Sequence, residues 1–131
     1  MIKPFASSAA RDAFAAFPQP ARDRLLAIRA LIYEIGAALP VGRIEESLKW
    51  GQSSYATPAT KAATPIRLGL TKSGDAAVFT HCQSTVMADF RALAPANMVF
   101  DGNRAVHLPA DQEPPLDELS PLIRAALSYR L

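Results

Sequence analysis

The hydrophobic pattern of this chain is helical in its first third and alternating beyond residue 65, with a mixed polar and aromatic stretch between. Residues 8–16 read as a short helix, with Ser7 or Ser8 as its cap, Phe14 and Phe17 as its apolar contacts and Pro18 as its stop. Pro20 suits the first turn of a second helix, where its missing N–H is no loss. From there Leu25, Ile28, Leu31, Ile32, Ile35 and Leu39 fall on one stripe, and Arg22, Asp23, Arg29 and Glu34 fall outside it. Burial of such side chains contributes about 1.5–3 kcal/mol each, so this helix is expected to be the structural spine. It should end near Pro40, with Gly36 a mild cost inside it. Leu26 and Tyr33 share a second face, which would meet the first helix or, if exposed, a second copy in a homodimer.

After residue 65 the period becomes two. Ile66, Leu68 and Leu70 alternate with Arg67 and Gly69, Lys72 to Asp75 supply turn residues, and Ala76 to Cys82 continue as a second strand. Ser84 can cap a helix carrying Val86, Met87, Phe90 and Leu93, ended by Pro95. Met98 to Phe100, the Asp101-Gly102 turn, and Ala105 to Leu108 read as another hairpin. Ser120-Pro121 reads as the cap and first turn of a terminal helix lined by Leu122, Ile123, Ala126 and Leu127. No repeat or linker interrupts the pattern, so residues 1–131 are expected to form one domain. The predicted class is α+β: an antiparallel sheet built from hairpins, with N-terminal and C-terminal helices packed on one face.

Composition narrows this modestly. An apolar content of 50% in 131 residues is enough for an ordinary core. A formal charge of +2 is far below that of proteins that neutralise many phosphates, so nucleic acid is not the expected partner. The single cysteine, Cys82, has no disulfide or zinc partner. With no signal-like N-terminal run and no stretch of about 20 apolar residues, the expectation is a cytoplasmic protein that does not enter a membrane.

The stretch from Arg43 to Tyr55 holds the only tryptophan, Trp50. As a helical turn leading into a strand near Tyr55, which is the favoured reading, it allows Glu45 and Glu46 to pair locally with Lys49. If it is extended, Glu46, Leu48 and Trp50 share one face, and Ser47 and Lys49 the other. The run Glu46-x-Leu48-Lys49-Trp50-Gly51, the helix carrying Arg22, Leu25, Ile28 and Arg29, the strand Ile66-Arg67-Leu68-Gly69, the turn Gly102-Asn103-Arg104-Ala105 and the C-terminal Ile123-x-x-Ala126-Leu127-x-Tyr129 together resemble the YdhG-like domain family, domain of unknown function 1801. The resemblance spans roughly residues 16–130. It implies an α+β fold, and it brings a second functional expectation, because some relatives are linked to frataxin-like iron binding and delivery. The family pattern places a proline two residues after the motif glycine and then an aromatic; here Ser53 stands at that position, followed by Ser54 and Tyr55. The rigid turn such a proline would impose is therefore not expected.

For Trp50 and Tyr55 the plainer expectation is core packing with the polar tip hydrogen-bonded. The functional expectation makes them an aromatic wall of a ligand site with Glu46, Lys49, Arg67 and Arg104, suited to a small anionic ligand or a peptide. Arg104, following Asp-Gly-Asn, also has a simple surface partner in a nearby carboxylate. His81 and Cys82, as adjacent strand residues, would point to opposite faces, which makes them poor joint ligands and Cys82 a small buried residue. The carboxylates of Asp111, Glu113, Asp117 and Glu118 suit hard cations but also suit the start of a terminal helix. Phosphate-binding, zinc-protease and nucleophile-elbow motifs are absent. The sequence thus points to a non-enzymatic binding or interaction domain with no catalytic residue, no assigned metal ligand and no assigned cofactor; its partner would be a small molecule or a protein. Frataxin-like iron handling is the alternative.

Overall fold

The computed structural model describes residues 3–109 and 112–131. Its elements are α1 (Ser8–Ala15), α2 (Ala21–Ala37), β1 (Glu45–Lys49), β2 (Gln52–Ala56), β3 (Ile66–Leu70), β4 (Ala76–Phe79), α3 (Val86–Leu93), β5 (Val99–Asp101), β6 (Ala105–Leu108) and α4 (Leu116–Leu127). The six strands form one antiparallel sheet in the order β1-β2-β3-β4-β6-β5. This is the α+β arrangement that the change of period predicts.

Strand alternation divides the sheet into two faces. On one face Leu48, Ser53, Leu68, Val78, Val106 and Phe100 succeed one another across the six strands. Leu68, Val78 and Val106 from this row join Leu25, Ile28 and Ile32 of α2 and Leu119, Leu122 and Ile123 of α4 in the core. The other face contributes nothing to that core. Most large apolar strand positions are therefore spent on the helix side, with Phe79 and Val99 the exceptions.

The helix α1 begins as expected, with the Ser7 hydroxyl accepting the Ala10 N–H at 3.1 Å. In α2 the stripe is buried at Leu25, Ile28, Ile32 and Ile35, and Leu31 and Leu39 are half-buried at its edges. Arg29 departs from the expectation: it is only 1% exposed, because it has a buried partner on β1. Leu26 and Tyr33 are half-buried against the chain's own core, so the second face is largely absorbed within the domain. A Cβ at Gly36 would lie 2.8 Å from Ile44 Cδ1, the end of a side chain that can shift to admit it.

Three local expectations are corrected. The stretch from Glu45 to Lys49 is a strand rather than a helical turn, and Lys49 and Gln52 close a two-residue hairpin through Trp50 and Gly51. Those two residues have φ of 55° and 77°, the double positive of a type I′ turn. Ser120 and Pro121 lie inside α4, which already starts at Leu116; Leu119 extends the apolar stripe one turn earlier, and Ser120 Oγ donates to Leu116 O within the helix. Ser84 does not cap α3: Thr85 is the N-cap, and the Ser84 hydroxyl donates back to His81 O at 2.8 Å. Among the described residues no helix is long and apolar enough to cross a membrane.

Candidate functional site

The sheet face away from the helices is built from the alternate positions. One row crosses it as Ser47, Ser54, Arg67, Phe79, Ala105 and Asp101. In the next, Ala77 sits between Gly69 and His107, and Gln52 lies against Gly69. Ser54, Gly69, Ala77 and Ala105 leave a shallow floor beside Arg67 and Phe79 of the two central strands.

One concavity of about 390 Å³ opens on this face, lined by Lys49, Trp50, Ser54, Arg67, Thr80 and Arg104, together with Pro65, His81 and Cys82. A second, of about 630 Å³, shares Arg67 and Arg104 and adds Gln52, Lys72, Phe79 and His107. Lys49 and Arg67 make no ion pair among the described residues. Arg104 donates from Nε and Nη2 to Asp101 Oδ2 at 3.0 and 2.9 Å, the plain hairpin pairing expected of it. Thr80 is fully buried and its hydroxyl has no hydrogen-bond partner among the described residues. A buried unpaired hydroxyl normally costs free energy, so one lining a cationic concavity is an available donor for a bound group. Another large hollow, about 620 Å³ between α3 and α4, is lined by Val86, Phe90, Leu93 and Tyr129 and presents no cation among the described residues.

Four of the six residues expected to bind ligand, Lys49, Trp50, Arg67 and Arg104, thus meet in one place. Glu46 and Tyr55 do not. Both are buried on the opposite face, because positions 46 and 55 are cross-strand partners in the register that turns Tyr55 and Ile66 into the core. The proposed aromatic pair is therefore split: Tyr55 is fully buried and Trp50 is 92% exposed at the hairpin tip.

Glu46 accepts from Arg29 Nε at 2.6 Å and Arg29 Nη2 at 3.1 Å, from Tyr55 OH at 2.7 Å and from the Ala6 N–H at 3.0 Å. Arg29 also donates to the Lys3 and Pro4 carbonyls at 2.7 and 3.0 Å. Its guanidinium lies 4.2 Å from the Phe5 ring centroid and 5.0 Å from that of Tyr33. Burial pushes the Glu46 pKa up, but Arg29, the Ala6 N–H and Tyr55 outweigh it and hold the carboxyl below its ordinary value. Burial likewise works against the Arg29 cation, and the bond to Glu46 reverses it, so the pKa ends raised. Tyr55 is pushed up by burial and then by donating to Glu46. Every polar atom in this cluster is answered from within, which makes it a structural clamp on the segment from Lys3 to Ala6 rather than a ligand site.

Cys82 is exposed, contrary to the buried position expected for it. Regular strand ends at Phe79, and the turn that follows brings His81 and Cys82 to the same concavity instead of opposite faces. His81 Nδ1 accepts the Gln83 N–H at 3.1 Å. Asp117 and Glu118 occupy the first turn of α4, where its dipole favours them; Asp111 lies outside the described residues. Among the described residues no three His, Cys, Asp or Glu side chains come together as metal ligands. Sequence reasoning missed Ser54, Thr80, His81 and Cys82 as site neighbours. The signal for Ser54 was its place one strand from Arg67 on the same face, which only the register reveals.

No family model matches the sequence, and no curated protein matches it. A crystal structure of YdhG, a Bacillus subtilis protein of the DUF1801 family, is similar in fold, with a TM-score of 0.61 at 17% sequence identity, over 89% of this chain and 86% of that one. The fold implied by the sequence resemblance is the fold this chain has.

Proposed function

We propose that this protein is a binding domain that holds a small anionic ligand on the helix-free face of its sheet. The observation that carries this reading is the convergence of Lys49 and Arg67, neither with a carboxylate partner among the described residues, in one concavity with Arg104 and the unpartnered Thr80 hydroxyl. Cations left without counter-charge on a shared wall attract an anion, and planar guanidinium groups hold phosphate or carboxylate oxygens in a fixed geometry. Arg104 would keep Asp101 as its positioning partner and turn its remaining donors to the ligand. Thr80 and Ser54 would supply neutral hydrogen bonds from the floor. The reactive-residue constellations of hydrolases or transferases have no part in this reading; the ligand is bound and released unchanged.

The test is a titration with inorganic pyrophosphate at constant ionic strength, following the emission of Trp50, which lines the same concavity. A saturable change is expected. Arg67→Ala should weaken binding by about tenfold or more, the worth of a charged hydrogen bond. The absence of any saturable response in the wild type, or equal affinity in Arg67→Ala, would refute the reading.

A further inference from the structure

Trp50 occupies a position that its own stability does not explain. In a two-residue hairpin turn with both φ values positive, the first position favours Asn, Asp or Gly, whose side chains tolerate the left-handed region. A bulky aromatic residue there is strained. Trp50 has φ of 55° and is 92% exposed, so the strain is not offset by burial of the indole. Among the described residues no aromatic ring stacks on it and no cation lies over it. The indole is therefore held out with free faces, at the rim of the concavity where Lys49, Arg67 and Arg104 converge.

From this we infer that the ligand carries a planar aromatic or heteroaromatic ring that stacks on Trp50 while its anionic group sits among Arg67, Arg104 and Lys49. The class that combines both features is an aromatic ring bearing phosphate, as in a mononucleotide. The inference rests on the anion-binding reading above. Stacking on one exposed indole is sequence-tolerant and contributes roughly a tenfold to hundredfold gain in affinity. A concavity of about 390 Å³ suits one ring with a short anionic tail. Trp50 is then a specificity residue: the cations recognise the anion and the indole selects anions that have a ring.

Calorimetric titration of adenosine diphosphate and inorganic pyrophosphate into the full chain separates the two contributions, because the anionic groups match and only one ligand has a ring. Wild-type protein should bind adenosine diphosphate about tenfold to a hundredfold more tightly than pyrophosphate. Trp50→Asn should remove that preference, so that adenosine diphosphate and pyrophosphate bind that variant equally, and, by relieving the turn, raise Tm by about 3 °C. Trp50→Phe should restore most of the preference. The sole cysteine gives an independent readout, since Cys82 is exposed in the same concavity and adenosine diphosphate should slow its alkylation by a bulky maleimide. Equal wild-type affinities for the two ligands would overturn the ring inference and leave the anion site standing. No binding of either would remove both. A lower Tm in Trp50→Asn, or a blue-shifted Trp50 emission that grows with protein concentration alone, would make Trp50 a structural or self-association residue and overturn the inference.

Discussion

Glu46 is a carboxylate on the core face of a strand, with its charge met by one guanidinium, one phenol and one backbone N–H. Such a pair adds little stability when compared with apolar residues of the same volume, yet breaking it strands the surviving charge. Glu46→Gln should therefore destabilise the fold by about 3–5 kcal/mol, and Arg29→Met combined with Glu46→Leu should cost much less; urea denaturation of the three proteins checks this. The pH dependence follows from the lowered Glu46 pKa. Because the folded value lies below the ordinary 4.5, the contribution is complete above that pH and is lost as pH falls through the folded value. The stability gap between wild type and Glu46→Gln should be constant from pH 7 to 5 and narrow below about 4.5. A gap that widens in acid would mean that Glu46 is not ionised in the fold. Arg29 and Glu46 lie 17 residues apart and neither neighbourhood announces the other, which is why the sequence placed Arg29 outside the buried stripe and Glu46 in a ligand site.

At the level of elements, what was legible was whatever is encoded locally. The α2 stripe, the hairpins at residues 66–79 and 99–108, and the Ser7 cap all carry their own signals in period, turn residues and capping chemistry. The β1–β2 hairpin does not. Its helix-side positions are Glu46, Leu48, Ser53 and Tyr55, of which two are polar and Leu48 is 40% exposed, and its turn begins with tryptophan, so neither the alternation nor the turn looks like a hairpin until Arg29 is known to wait opposite. The start of α4 was misplaced for a related reason, since two proline-containing starts compete and only packing of Leu119 selects the earlier one. The small helix α1 tests how far local chemistry matters. Phe14 anchors it, with ring centroids 5.5 Å from Phe5 and 5.4 Å from Phe17, while a helix of eight residues has no stability alone. Ser7→Ala should lower stability by about 1 kcal/mol through the lost cap, measurable as a shift in the urea midpoint with unchanged slope. A shift near zero would show that docking of the aromatic trio alone sets the helix start.

Across the whole molecule the two sheet faces divide the labour. One takes the helices and most of the apolar rows, and with them most of the stability; the other carries small residues and Phe79, with Arg67 among them and further cations around. Lys49, Arg67, Lys72 and Arg104 line the two adjoining concavities against a single carboxylate, Asp101, on a chain whose total formal charge is only +2. The remainder of the chain therefore carries slightly more acids than bases, so the positive potential is a property of this face and not of the protein at large. Composition could not reveal that, because register assigns the charges to faces and the net charge averages over them. The distinction can be measured with two variants of equal charge. Arg67→Glu and Arg11→Glu each change the formal charge by two, but Arg11 is an exposed residue of α1, on the helix side. At about 0.15 M salt, where fields decay within about 8 Å, Arg67→Glu should abolish pyrophosphate binding, while Arg11→Glu should change the affinity less than twofold. Equal losses in the two variants would mean that the anion responds to net charge, and the concavity would lose its claim to be a site.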